Sequence, residues 1–384
     1  LTLDSSQIHL LHSISQDLFK ASSAEDSLFY QQSWRLEKTH TQGYTYTSGL
    51  LLDSIEWQRN FISVDSRVGN PQLDNTTPLR EHFGEDQSNH VQYQELPLQF
   101  DSTLIHNRLS QLHQKSYKNA TYNFKVVQNN QLHRPKTIDS WFLAPRKGLP
   151  PSTHPVRIDS FDLIRRESLK VKLKQVSLIM EDYPEILFSK VGYEHRFKTK
   201  YYWDSEEAFS VQQVDKGRIQ ISLQTQAGDG MILDHFKEYP IQSDLSFPTL
   251  QQLTNDIHRL AQELTQLKHA PVAKPYSGPV LLEPEASAVF IHEVIGHRME
   301  SHRLKQSSDG QTFRQKIHDA IMDPQFDLVD DPTLHHHEGT PLNGHYQYDD
   351  QGVAARPAHL ITNGVLQGFL ESRSTSSDST QSNG

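Results

Sequence analysis

Apolar residues recur along this chain in blocks, some at helical and some at strand spacing, with polar punctuation between them. Ile8, Leu11, Ile14 and Leu18, with Ser5 or Ser6 ahead as cap, predict an amphipathic first helix. Strand-like segments follow at 44–52 and 57–68, and Gly69-Asn70-Pro71 punctuates them. Ile105, Leu109 and Leu112 mark a second helix. A third runs through Leu163, Leu169, Leu173, Val176 and Met180, with Ser160 as its candidate cap. Between them, residues 134–154 hold several prolines and read as linker.

From 186 to 233 the period shifts towards two, which predicts a meander of antiparallel strands with Gly228-Asp229-Gly230 as a turn near its end. Leu250, Leu253, Ile257, Leu260, Leu264 and Leu267 then form a helical stripe, read as a core face. Pro275 and Pro279 precede a short predicted strand, Val280-Leu281-Leu282, and Pro284 suits the first turn of a further helix. Residues 326–330 and 358–361 look like strands, and Asn363-Gly364 is a hairpin signal. The last dozen residues, 373–384, are polar and small and read as a disordered tail. The fold class expected is α+β, with mixed or antiparallel sheets and packed helices. Its divisions are an N-terminal α+β domain over 1–133, a linker at 134–158, a central domain over 159–270 and a last unit over 271–384.

Composition narrows the classes. With 384 residues the chain can bury a sizeable core. Its 35% apolar content and mean hydropathy of −0.66 describe a globular protein with much surface. A net charge of −10 argues against nucleic acid as a main partner, and no apolar run approaches a membrane span. The densest basic stretch, Arg165, Arg166, Lys170, Lys172 and Lys174, reads as a solvated helix face. There is no cysteine, so neither disulfides nor thiolate ligands are available. The chain starts at Leu1 without a charged or apolar leader, which reads as either a removed signal peptide or a fragment's N-terminus.

Chemistry shows at His292-Glu293-Val294-Ile295-Gly296-His297, which follows the apolar run Ala288, Val289, Phe290, Ile291. Two imidazoles flanking a carboxylate are the layout of a zinc peptidase, with His292 and His297 on the metal and Glu293 as base. The familiar spacing is one residue shorter. Five residues apart, the two histidines would lie about 140° from each other on a regular helix. A π-bulge would bring them together, and Gly296 loosens the backbone where that distortion is needed. The metal motif is thus expected on a buried, distorted helix; the plain alternative is a buried helix with satisfied polar residues. His335-His336-His337 is read as a surface loop.

The stretch from 280 to 384 resembles the TldD/PmbA metallopeptidases. It does so through the motif with Met299-Glu300 after it, Asp330-Asp331, Asp349-Asp350-Gln351-Gly352-Val353 and Leu360-Ile361-Thr362-Asn363-Gly364-Val365-Leu366-Gln367-Gly368. The segments Val64-Asp65-Ser66-Arg67-Val68-Gly69 and Gln226-Ala227-Gly228-Asp229-Gly230 look similar too. The resemblance implies a multi-domain TldD/PmbA-like architecture and a zinc-dependent peptidase that hydrolyses unfolded proteins or short peptides. It implies a homo- or hetero-oligomer with a family member, and a cytoplasmic location. It places zinc on His292 and His297 and makes Glu293 the catalytic glutamate. The family's third ligand is a cysteine near the C-terminus, which this sequence lacks. On the resemblance, the chain reads as C-terminally truncated, with 271–384 an incomplete metallopeptidase domain. Glu300 and His302 are the nearest local substitutes, Glu300 reading better as a supporting carboxylate. The competing roles are a non-catalytic partner or regulatory subunit of such an assembly, and an interaction module built on the helix at 250–267.

Overall fold

The computed structural model describes residues 3–77, 90–133, 143–144, 163–241, 247–305, 311–375 and 381–384. The N-terminal helix α1 (Ser5–Glu25) is followed by the strands β1 (Phe29–Thr47), β2 (Leu50–Asn70), β3 (Leu73–Asp74) and β4 (Val91–Leu96). Helices α2 (Ser102–His133) and α3 (Leu163–Leu178) lead to β5 (Phe188–Asp204), β6 (Phe209–Gln226) and β7 (Ile232–Ile241), then to α4 (Leu250–His269). All seven strands form one antiparallel sheet ordered β3-β2-β1-β5-β6-β7, with β4 beside β2. The fold is α+β. The segments 1–133 and 159–270 share this sheet through the pairing of β1 with β5.

That seam carries two aromatic pairs in register. Trp34 lies opposite Trp203 with rings parallel within 5° at 6.3 Å, and Tyr44 lies opposite Tyr193 at 6.5 Å. Cross-strand aromatic pairs are the contacts that pin a sheet's register. Because side chains alternate along a strand, all four rings fall on one face, and α1–α4 cover it. Leu11 and Ile14 of α1 pack there with Ile105, Leu109 and Leu112 of α2. At the other end, Leu169, Leu173 and Val176 of α3 meet Leu253, Ile257, Leu260 and Leu264 of α4.

Several local expectations need revision. The cap of α1 is Asp4, not Ser5 or Ser6: its carboxylate accepts from Gln7 N at 2.8 Å while the Gln7 side chain accepts from Asp4 N at 3.1 Å. The strand expected at 44–52 is a hairpin, turning at Ser48 and Gly49, both at positive φ. A Cβ at Gly49 would sit 2.5 Å from Leu178 Cδ2, so only glycine fits that turn against α3. Val280-Leu281-Leu282 is not a strand and is exposed, Leu281 by 96%. The linker expected at 134–158 lies outside the described residues except Leu143 and Ala144, which are buried; Ser160 lies outside them too.

The end of β2 carries a buried charge network. Arg67 donates to Asp65 and Asp74, at 3.2 Å each, and to Thr76 Oγ1 at 2.8 Å, while the Tyr30 hydroxyl donates to Asp74 at 2.8 Å. Burial pushes the Asp65 carboxyl up, but Arg67 and His90 outweigh it and hold the group below the usual carboxylate range. Asn75 is fully buried, its side chain bonded to Val68 N and Ser66 O.

Removing one member of a buried charge set leaves the others unpaired. Arg67→Ala should therefore cost about 3–5 kcal/mol in denaturant unfolding followed by tryptophan fluorescence. His113 provides a pH signature. Burial beside Gln32 and Ser22 lowers its pKa from 6.5 to about 4. The unfolded chain takes up a proton below pH 6.5 that the folded chain refuses until about pH 4, so stability falls as pH drops through that window. Unfolding measured across it should show a shallower fall in His113→Gln.

Candidate metal centre

The last third of the chain builds its own small core. Helix α5 (Pro284–Val294), with Pro284 at its first position, precedes the strands β8 (Leu328–Asp330), β9 (His336–His337), β10 (Thr340–Pro341), β11 (Ala358–Thr362) and β12 (Val365–Leu366). β8, β11 and β12 pair antiparallel, β9 with β10 separately. The β11–β12 hairpin turns at Asn363 and Gly364, both at positive φ as the Asn-Gly signal predicts. Against this small sheet lie Ile295 and Met299, packed with Leu360, Ile361, Leu366 and Phe369.

Those two anchors decide the shape of the motif. α5 stops at Val294, and residues Gly296–Met299 wind as a tight 3₁₀ turn that carries Ile295 and Met299 inward. Leu370 N donates to Met299 O at 2.7 Å and Ser301 N to Leu370 O at 3.1 Å, pinning the turn to the segment after β12. Arg298 caps the helix, its guanidinium donating to the carbonyls of Glu293 and Val294 at 2.9 and 2.7 Å. The distortion expected at Gly296 is there, but it is a helix end followed by a 3₁₀ turn and not a π-bulge. Gly296 is not at positive φ, and a Cβ there would meet nothing closer than 3.8 Å. The turn is made by burial on either side of it.

The result brings the three motif residues together. One ligand atom from each of His292, Glu293 and His297 lies within 4.8 Å of the others, and the two imidazoles are 4.5 Å apart at 70°. Among the described residues no other group of three such side chains gathers in this way. His297 Nδ1 is engaged by Glu300 Oε1 at 2.8 Å, which leaves Nε2 facing Glu293 at 4.0 Å. Glu300 is itself held by Arg303 Nε at 2.6 Å, with His302 Nε2 at 3.6 Å. Burial raises the Glu300 carboxyl, but the bonds from Arg303 and His297 outweigh it and keep it below the usual range. A carboxylate on the far nitrogen of a histidine is how proteins orient metal ligands. The two imidazoles are donors that suit a divalent metal such as zinc, with the Glu293 carboxylate beside them.

The expectation of a buried motif helix does not hold: α5 has no buried residue. Val289, Phe290 and Val294 are exposed by 61, 51 and 40%, because α5 touches the small core only through Ile291 and the residues beyond its end. Nor is the segment from 373 a loose tail where it is described. Arg373 is buried, donating to Ala144 O at 2.7 Å and pairing with Glu206 at 2.7 Å, while Ser382 and Asn383 bond back to Glu371 and Phe369. The His335 ring lies tilted by 37° against that of His345, with centroids 4.1 Å apart, and His336 and His337 are exposed strand residues. Arg298 and Arg303, which shape and support the site, carry no sequence signal beyond lying near acidic or helix-end positions.

Residues 275–384 match the family described as the PmbA/TldA metallopeptidase C-terminal domain. A metalloprotease of Methanocaldococcus jannaschii is 36% identical over 96 residues, covering 25% of this chain and 20% of that one. A zinc metalloprotease TldD homolog of Saccharolobus solfataricus is 25% identical over 238 residues, 58% of this chain and 48% of that one. The crystal structure of TldE from Thermococcus kodakarensis shares the fold at a TM-score of 0.56 and 12% identity, covering 97% of this chain and 73% of that one. The chain is similar to the TldD/PmbA family through its last part, residues 275–384. It spans between a fifth and about half of the length of these curated relatives.

If Glu300 sets the orientation of His297, Glu300→Gln should weaken zinc binding by about 10–100-fold in a competition titration of the full chain, with its melting temperature kept. Unchanged affinity would show that the carboxylate is only a surface partner of Arg303.

Proposed function

We propose that the protein is a zinc-dependent metallopeptidase that hydrolyses unfolded proteins or short peptides and works in an oligomer with a family member. The observation that carries this reading is the convergence of His292, Glu293 and His297, with Glu300 on the outer nitrogen of His297. His292 and His297 would hold the metal. When bound, zinc supplies a Lewis acid that acidifies water and polarises a scissile carbonyl.

The rest falls to the chain's own groups. Glu293 is 63% exposed and beside both imidazoles, so its carboxylate can take a proton from the attacking water and return it to the leaving amine. Glu300 accepts from His297 Nδ1–H, fixing the tautomer whose Nε2 lone pair faces the metal position. Arg303 keeps Glu300 ionised for that task. An oligomeric setting agrees with the exposed apolar residues Val289, Phe290 and Val294 around the motif. The intact His-Glu-His set favours a catalytic role over that of a non-catalytic partner subunit.

In the full-length protein with zinc, Glu293→Gln should lose about 10²–10⁴-fold in hydrolysis of a fluorogenic unstructured peptide while keeping its zinc by elemental analysis. His292→Ala should lose the zinc itself. A Glu293→Gln enzyme as fast as its parent would exclude the mechanism.

A further inference from the structure

The sheet face turned away from α1–α4 holds a second constellation of charge. Residues 344–352 lie across it: Gln212 Nε2 donates to Tyr348 O, and Arg35 Nε donates to Asp350 O, both at 2.8 Å. Between this segment and the sheet remains a cavity of about 480 Å³. Arg196, Lys198 and Lys200 line it from alternate positions of β5, and Lys216 faces Arg196 across the β5–β6 ladder.

Four cations line the wall against two carboxylates, Asp349 and Asp350. Lys198 is engaged by Glu37 at 2.6 Å, Lys200 by Asp350 at 3.1 Å and Arg196 by Glu194 at 3.3 Å. Lys216 has no carboxylate partner among the described residues. Burial, then Lys200 and Lys198, pull its pKa below the ordinary lysine range. Like charges held together in a concave wall focus an attractive field on an anion. A second cavity, of about 270 Å³, shares Tyr346 and Asp349 with the first and reaches Glu300 and His302, which adjoin His297. One neighbouring cavity, whose lining includes the His297 partner Glu300, thus lies between the basic cavity and the candidate metal centre.

We propose that this cavity, with Lys216 as its principal ligand group and Lys198 and Lys200 beside it, is a subsite for a carboxylate of a peptide substrate. The proposal rests on the peptidase reading and deepens it: peptides carrying an acidic residue away from the cleaved bond are preferred. A carboxylate is the anion an unmodified peptide presents, either as an Asp or Glu side chain or at its C-terminus, and the second cavity lies on the side of the basic one towards Glu300 and His302.

The test uses three fluorescein-labelled peptides of one length on the zinc-loaded full-length protein carrying Glu293→Gln. One is Glu-rich with an amidated end, one is its Gln counterpart with an amidated end, and one is the Gln counterpart with a free carboxylate. By anisotropy, a carboxylate-bearing peptide should bind roughly tenfold tighter than the neutral one, and less so as salt rises. Lys216→Gln should remove the advantage and Lys216→Arg should keep it; Lys216 is exposed enough that neither should disturb folding. An advantage held by the Glu-rich peptide places a side chain in the cavity, and one held by the free carboxylate places a chain end there. Equal binding of all three peptides, or an advantage that survives Lys216→Gln, overturns the proposal. Absence of hydrolysis by the parent protein would overturn the peptidase reading alone, because these binding differences do not depend on turnover.

Discussion

The pairing of β1 with β5 is the interaction on which the remaining architecture rests. It joins two stretches of chain separated by more than a hundred residues into one sheet, and the facing pairs Trp34–Trp203 and Tyr44–Tyr193 hold its register. A slip of one residue would turn those rings to the opposite face and take the helix-covered core with them. With the register held, one face buries its rings under α1–α4. The other presents Arg35, Lys200 and Gln212 to the segment 344–352. The position of the last third of the chain thus follows from side-chain alternation in strands far from it in sequence.

The candidate metal centre depends on a second, smaller constraint. Two histidines five residues apart do not share a helix face, so an uninterrupted α5 would have kept them apart. Burial of Ile295 and Met299 against β11 and β12 ends the helix between them, and Arg298 satisfies the carbonyls exposed by that ending. Apolar packing outside the motif therefore assembles the polar motif. Glu300 and Arg303 then fix the direction in which His297 points.

Much of this was legible in the sequence, for identifiable reasons. The stripe at Leu253, Ile257, Leu260 and Leu264 and the Asn363-Gly364 turn obey local rules, and both occur where expected. The chemistry of His292, Glu293 and His297 was visible because few other arrangements place two imidazoles around a carboxylate. Local rules misled where a distant contact decided. Ser48 and Gly49 read as part of a strand until Leu178 closes on them, and Arg373 read as part of a polar tail although Glu206 and Ala144 bury it. The basic residues of β5 do not stand out in sequence beside the denser run on α3, since alternation on a strand spreads cations that the fold gathers on one face.

By itself the sequence determined the α+β class, most helices, the antiparallel order of the central strands and the residue types of the candidate metal centre. These follow from periodicity and residue chemistry, which act over a few neighbours. Only the tertiary structure decided that one sheet unites the two halves, that α5 stands exposed, how the motif turns, and that four cations of β5 and β6 share a cavity. Each of those depends on which distant surfaces meet, and burial energy is settled by the whole fold rather than by any one segment.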